Sequence, residues 1–291
     1  MDIQNLERKR KILIFLRILS VVVAFVPVAL IYIVAAKIID ENLIWLIVGG
    51  SIGIIVLYYI YTRIFLKQYK DFCIQNYLPD FNIVYDKTKK KYIPNEILEL
   101  LALNEKGSFD SAVRQTVSQH YFLSGEYRSV EFTQNKLMVK KMTEHHSILF
   151  DEEVGTLKYI FNGHITEFNT SIADSPILIS TKKLRKIQKL FTKIETRDEE
   201  FDDIFIVTCE NKKDADAFLN NDVINKLKLL YETSPSKEFF ILNYNNKIYF
   251  GYNKHKSLYP KLNKKLDEDI VMETSKNDFN YVKVLIEEII K

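Results

Sequence analysis

Charged residues vanish twice from the first 62 positions of the chain. Ile18 to Ala36 is a run of 19 uncharged residues, 17 of them apolar, and Asn42 to Thr62 is a run of 21, 15 of them apolar. A helix rises about 1.5 Å per residue, so roughly 20 apolar residues cross the ~30 Å hydrocarbon core of a bilayer. The pattern predicts a two-helix transmembrane hairpin with spans 18–36 and 42–62. A basic N-terminus, 1–17, precedes it and a juxtamembrane helix, 63–78, follows. A buried core helix is the alternative for either span, but two uncharged helices of that length in succession argue against it. The N-terminal run resembles the charged leader of a signal peptide. Its apolar region is too long for that, and a second span follows at once, so a retained anchor is expected.

After the second run the periodicity changes, and residues 79–291 read as one cytoplasmic α+β domain with a mainly antiparallel sheet and flanking helices, open to division into two lobes. Asn95 to Leu103 is predicted helical. Arg128 to Phe132 and Leu137 to Met142 read as a hairpin about a polar turn at Gln134 and Asn135. Leu157 to Phe168 is a long strand in which Asn162-Gly163 marks either a type I′ turn or a bulge. Ile177 to Ser180 is a short strand. Thr181 to Ile194 carries Leu184, Ile187, Phe191 and Ile194 at helical spacing. Ile204 to Cys209 is a buried strand, and Asp214 to Tyr231 is a helical stretch broken at Asn220-Asn221. Phe239 to Tyr244 and Lys247 to Tyr252 flank Asn245-Asn246, the clearest hairpin signal in the chain. Asn277 to Ile290 closes as an amphipathic helix.

Charge refines this picture. The net charge is +3, from 41 Lys and Arg against 38 Asp and Glu. Residues 71–291 hold 32 of those bases and 34 of the acids, so the positive excess belongs to the membrane flanks. No nucleic-acid partner is expected, because the globular region lacks a basic excess. Arg8, Lys9, Arg10, Lys11 and Arg17 precede the first span and Arg63, Lys67 and Lys70 follow the second, while Lys37 to Glu41 is the only connection. The positive-inside rule then puts both termini in the cytoplasm. Cys73 and Cys209 lack metal-type spacing and are expected as small core residues in a reducing compartment.

Several clusters qualify as candidate sites. Gly49, Gly50 and Gly53 form a small-residue face in the second span, suited to close helix packing within the chain or in a homo-oligomer. Lys182, Lys183, Arg185, Lys186, Lys189 and Lys193 lie opposite the apolar face of the predicted helix 181–194, a pattern that suits an anionic membrane surface. A solvated face of a packed helix is the plainer reading. The acidic run Glu195, Asp198, Glu199, Glu200, Asp202 and Asp203 lacks EF-hand spacing and reads as a solvated turn. Glu144, His145 and His146 with Asp151, Glu152 and Glu153 read as a surface loop between strands. Lys254, His255, Lys256, Lys261, Lys264 and Lys265 form a second basic stretch around Pro260. Phosphate-loop, dinucleotide and nucleophile-elbow motifs are absent, so no catalytic, cofactor or metal residue is assigned.

The order of features, with Ser124-Gly125-Glu126-Tyr127, the strand from Tyr159 to Ile165, the run Phe201 to Val207, the hairpin 239–252 and Leu258-Tyr259-Pro260, resembles the bacterial two-span membrane proteins grouped as domain of unknown function 3137. That resemblance implies the bacterial inner membrane and a LemA-type membrane protein as partner, and it supplies no active-site residues. Function is expected to be non-enzymatic: a membrane-anchored domain that binds a protein partner, with lipid contact. An enzyme or ligand sensor acting at the inner leaflet is the rival expectation.

Overall fold

The computed structural model describes residues 2–25, 41–83, 92–101, 113–147, 152–184, 191–234, 236–253, 258, 260 and 262–290. The chain forms two compact units, Met1–Leu78 with Leu258–Lys276, and Pro79–Ser257 with Asn277–Lys291.

In the first unit, α1 (Ile3–Ala24) and α2 (Glu41–Tyr77) dominate. Asp2 starts α1 by accepting the Asn5 N–H at 2.8 Å, the standard satisfaction of an orphan amide at a helix N-terminus. Leu6, Arg10 and Leu13 are buried at helical spacing on α1, and Phe65, Tyr69, Phe72 and Cys73 are buried on α2. Lys9 Nζ donates to Gln68 Oε1 at 2.8 Å, so the start of α1 lies beside the end of α2. Each helix changes character along its length. Beyond Leu13, α1 exposes Phe15, Ile18, Val21, Val22 and Phe25; before Phe65, α2 exposes Ile52, Leu57, Ile60 and Ile64. Residues Ile47–Tyr77 make one helix long and apolar enough to span a membrane. Leu57 is 55% exposed and Ile60 is 52% exposed, unlike the packed side chains of a globular protein's core helix. The juxtamembrane helix expected at 63–78 is the uninterrupted end of α2. The first expected span, 18–36, falls mostly outside the described residues, so one span is evident and the hairpin is not.

The second unit is the expected mixed α+β domain. Its described strands form an eight-stranded sheet in the order β1-β2-β3-β8-β7-β4-β6-β5. They are β1 (Val113–Tyr127), β2 (Val130–Ser147), β3 (Glu152–Phe168), β4 (Ile177–Thr181), β5 (Thr192–Ile194), β6 (Phe205–Cys209), β7 (Phe239–Tyr244) and β8 (Lys247–Tyr252). All of the pairings are antiparallel. One face buries Ile97 and Leu98 of α3 (Asn95–Leu100) with Leu137, Val139, Phe161, Ile165, Phe240, Leu242 and Tyr249. The opposite face meets Tyr231 of α6 (Asn221–Thr233), whose ring lies near those of Phe205 and Phe239. Tyr281, from α7 (Glu268–Val284), stacks on Phe250 at 4.7 Å on that same face. Alternation along β7 and β8 explains this division, because successive side chains point to opposite faces.

Three expectations are corrected. The first hairpin turns at Arg128-Ser129, with φ of 48° and 65°, and not at Gln134-Asn135, which lie buried within β2. Asn162-Gly163 is neither turn nor bulge. The irregularity falls one step away, where Val139 faces Phe161 and Lys140 faces Tyr159, leaving Ile160 as the extra residue. Gly163 is small because the carbonyl of Tyr252 lies 1.9 Å from where a Cβ would sit. The predicted helix 181–194 is also absent at both described ends. Thr181 closes β4, Lys182–Leu184 is a single 3-10 turn, and Thr192–Ile194 is β5. Apolar residues at helical spacing served the core from other backbone states: Leu184 and Phe191 both pack on the α3 face.

Candidate functional site

The basic positions singled out at 182–193 are only partly brought together. Lys182 is exposed and lies 3.5 Å from Asp203; Lys193 is exposed on β5 and lies 3.7 Å from Glu195. Lys183 sits in the 3-10 turn, and Arg185, Lys186 and Lys189 lie outside the described residues. Lys193 belongs to a strand, so it does not extend a helical basic stripe. Exposed pairs of this kind are worth little.

The acidic run is a built helix start. Asp198 caps α4 (Glu199–Ile204) by accepting the Phe201 N–H at 2.8 Å, and Lys228 reaches both Asp198 and Glu200. Asp202 accepts from the backbone N–H and the hydroxyl of Thr196. The Phe201 amide, and after it Lys228, holds the Asp198 carboxyl below its ordinary range. Its chemistry is therefore spent on local structure. Glu144, His145 and His146 lie within β2, paired with Gly155, Val154 and Glu153, and not in a loop. Among the described residues no group of three or more His, Cys, Asp or Glu side chains is placed to hold a metal ion. Cys73 and Cys209 are both buried, and neither is in a disulfide.

A buried polar tie, which the sequence did not reveal, lies under α7. The Tyr281 hydroxyl is 2.8 Å from that of Thr166, and Gln134 donates to Tyr281 and, at 3.3 Å, to Thr166. Gln134, Thr166, Tyr252 and Tyr281 are all fully buried. Burial pushes the Tyr281 hydroxyl far above the usual phenol range, so it stays protonated as a donor. The tie seats α7 on β2 and β3, and nothing exposes it to a substrate. A polar Gln in a strand otherwise reads as a turn, which is why the pattern misled.

In the first unit, Glu7 and Arg10 form a buried bidentate pair, with Nε and Nη2 of Arg10 each 2.7 Å from a Glu7 oxygen. Arg10 also donates to the Leu262 carbonyl at 2.6 Å, and the Leu266 N–H donates to Glu7 at 2.8 Å. The segment 262–266 is thus clamped to α1. Arg10, one of the bases expected at the membrane flank, is a structural residue. The glycine face of α2 is open: nothing among the described residues lies within 4 Å of a Cβ built on Gly49, Gly50 or Gly53.

The sheet has one conspicuous edge. Among the described residues, His164–Phe168 of β3 pair with β8 while 152–163 pair with β2 alone, and β1 lies outermost. A long ribbon of β1, β2 and β3 therefore runs past the rest of the sheet. From Val113 to Tyr121 the edge strand has no Pro or Lys, and its only charged residue is Arg114. Edges are usually guarded by such residues, by bulges or by cover. Here one bulge, at Phe122, ends the smooth stretch.

Comparison with protein-family models, curated proteins and solved structures finds no match for the chain. The resemblance to the domain of unknown function 3137 proteins, and the LemA-type partner it implied, gain no support from these comparisons. The class that the fold defines is an apolar membrane-length helix joined to an antiparallel α+β domain.

Proposed function

We infer that the chain is a two-span membrane protein, both termini cytoplasmic, whose α+β domain binds a protein partner along β1. The observation that carries this reading is the smooth outer edge of β1. Its main-chain donors and acceptors suit an added strand from an extended segment, the mode in which backbone pairing supplies affinity. The exposed apolar half of α1 supports the first span, 18–36. Phe15, Ile18, Val21, Val22 and Phe25 lie beyond the packed stripe, as the exposed apolar residues of α2 do. The basic flanks support the orientation.

A photo-crosslinking residue at Gln115 of β1, in the full-length protein in its native membranes, tests the docking. One discrete adduct is expected at Gln115 and none at Lys193 on the opposite edge. A solitary monomer after several mild extractions, with no adduct at Gln115, would overturn the partner-binding reading.

A further inference from the structure

The unit Met1–Leu78 with Leu258–Lys276 holds an open apolar groove of about 390 Å³, lined by Ile14, Arg17, Ile18 and Val22 of α1 and by Leu262 and Asn263. Its floor is unusually apolar for a surface: Ile18 is 60% exposed and Val22 is 58% exposed. Its wall is built, because the Glu7–Arg10 pair fixes the segment 262–266 from two sides. Arg17 lines the groove, and Lys264 and Lys265 follow the lining residue Asn263 directly in the chain. Arg17, Lys264 and Lys265 are all exposed, and none of them makes an ion pair among the described residues. The nearest acid of the segment, Asp267, is occupied in accepting the Asp269 N–H at the start of α7.

We propose that this groove seats an anionic phospholipid of the cytoplasmic leaflet. The acyl chain runs along Ile18 and Val22, and the phosphate meets Arg17, Lys264 and Lys265. The inference rests on the reading that the apolar half of α1 enters the bilayer. Given that, the change from packed to exposed apolar positions between Leu13 and Ile18 marks the interface, and Leu262 and Asn263 stand at its level. Apolar side chains there have only acyl chains to cover them, and basic side chains near an anionic surface gain from its potential. The site is thereby distinct from the basic positions at 182–193.

The test uses the full-length protein in nanodiscs of phosphatidylcholine alone or an equimolar mixture with phosphatidylglycerol. Retention of phosphatidylglycerol by the detergent-extracted protein is expected to fall about fivefold for each base removed in R17Q, K264Q and K265Q, the size expected for one basic side chain at an anionic surface. Inorganic phosphate added to the mixed discs should not displace phosphatidylglycerol; displacement would mean that the site takes a free phosphate and would overturn the lipid assignment. Both native cysteines are buried, so V22C and N263C report independently. V22C should resist a membrane-impermeant maleimide, and a fluorophore on N263C should be quenched by headgroup nitroxide lipids. Labelling of V22C from water would overturn the anchor reading and this inference with it. Protection of V22C with unchanged lipid retention in the glutamine variants would overturn this inference alone.

Discussion

Gly163 and Gly251 occupy neighbouring strands, yet adding a methyl group to each has different consequences. At Gly163 the new Cβ would meet the Tyr252 carbonyl at 1.9 Å, a backbone atom in the pairing of β3 with β8. At Gly251 it would meet the Phe240 ring at 2.1 Å, a side chain that can give way only by displacing its neighbours in the buried core. Overpacking costs about 1–3 kcal/mol and more where nothing yields, so G163A should cost about 3 kcal/mol or abolish folding. G251A should cost about 2–3 kcal/mol, because the Phe240 ring it displaces is packed in the core, as thermal melts of both variants would show. The Glu7 carboxyl offers a pH prediction. Its hydrogen bonds from Arg10 hold it below the ordinary carboxylate range against the opposing effect of burial. A depressed folded value means that the stabilisation is complete above the unfolded value and is lost as pH falls through the folded one. Exchange protection of the Leu266 amide should be flat from neutral to about pH 5 and decline below that. E7Q should lose about 2–3 kcal/mol at neutral pH, since Arg10 would remain buried without its anion. The Glu7–Arg10 pair itself is a local i,i+3 contact, but the clamp it makes on 262–266 was invisible in the sequence, because the Leu262 carbonyl is 252 positions from Arg10.

Turns separate what local pattern determines from what it does not. Asn245-Asn246 adopt φ of 50° and 58° between β7 and β8, the conformation that Asn tolerates, and that hairpin is legible in the sequence. Arg128-Ser129 adopt the same left-handed state with residues that disfavour it, each at roughly 1–2 kcal/mol. The offset comes from afar: Arg128 pairs with Glu287 at 2.7 Å, and the Tyr127 hydroxyl donates to the same carboxylate. Replacing exposed Ser129 by Gly should therefore stabilise the protein by about 1 kcal/mol, seen as a raised melting temperature. A lowered one would mean that the turn is not left-handed at that position. The break between α5 (Lys212–Phe218) and α6 was also legible, since Asn220 caps α6 by accepting from Asp222 and Val223. The segment 181–194 was not. Its apolar residues recur every three or four positions, but Thr181 and Thr192–Ile194 complete sheet pairings with Phe205, Cys209, Thr208 and Val207 that no local period encodes.

For the molecule as a whole, the consequence to measure is topology. The proposed orientation, with both termini cytoplasmic, predicts an inactive C-terminal alkaline phosphatase fusion and a bright fluorescent-protein fusion; active phosphatase would reverse it. The uncharged run 42–62 by itself determined the membrane-length helix, because spanning depends on length and composition alone. Strands expected at 204–209, 239–244 and 247–252, and the antiparallel α+β class, were likewise written in short continuous apolar runs and turn residues. Only the tertiary structure decided the rest: that Gln134 and Thr166 are buried beside Tyr281, that β1 is left at an edge, and that Arg10 clamps 262–266 to α1. Each of these depends on partners distant in sequence, and a side chain's role is set by the neighbours that the fold brings within hydrogen-bonding distance, which local periodicity does not specify.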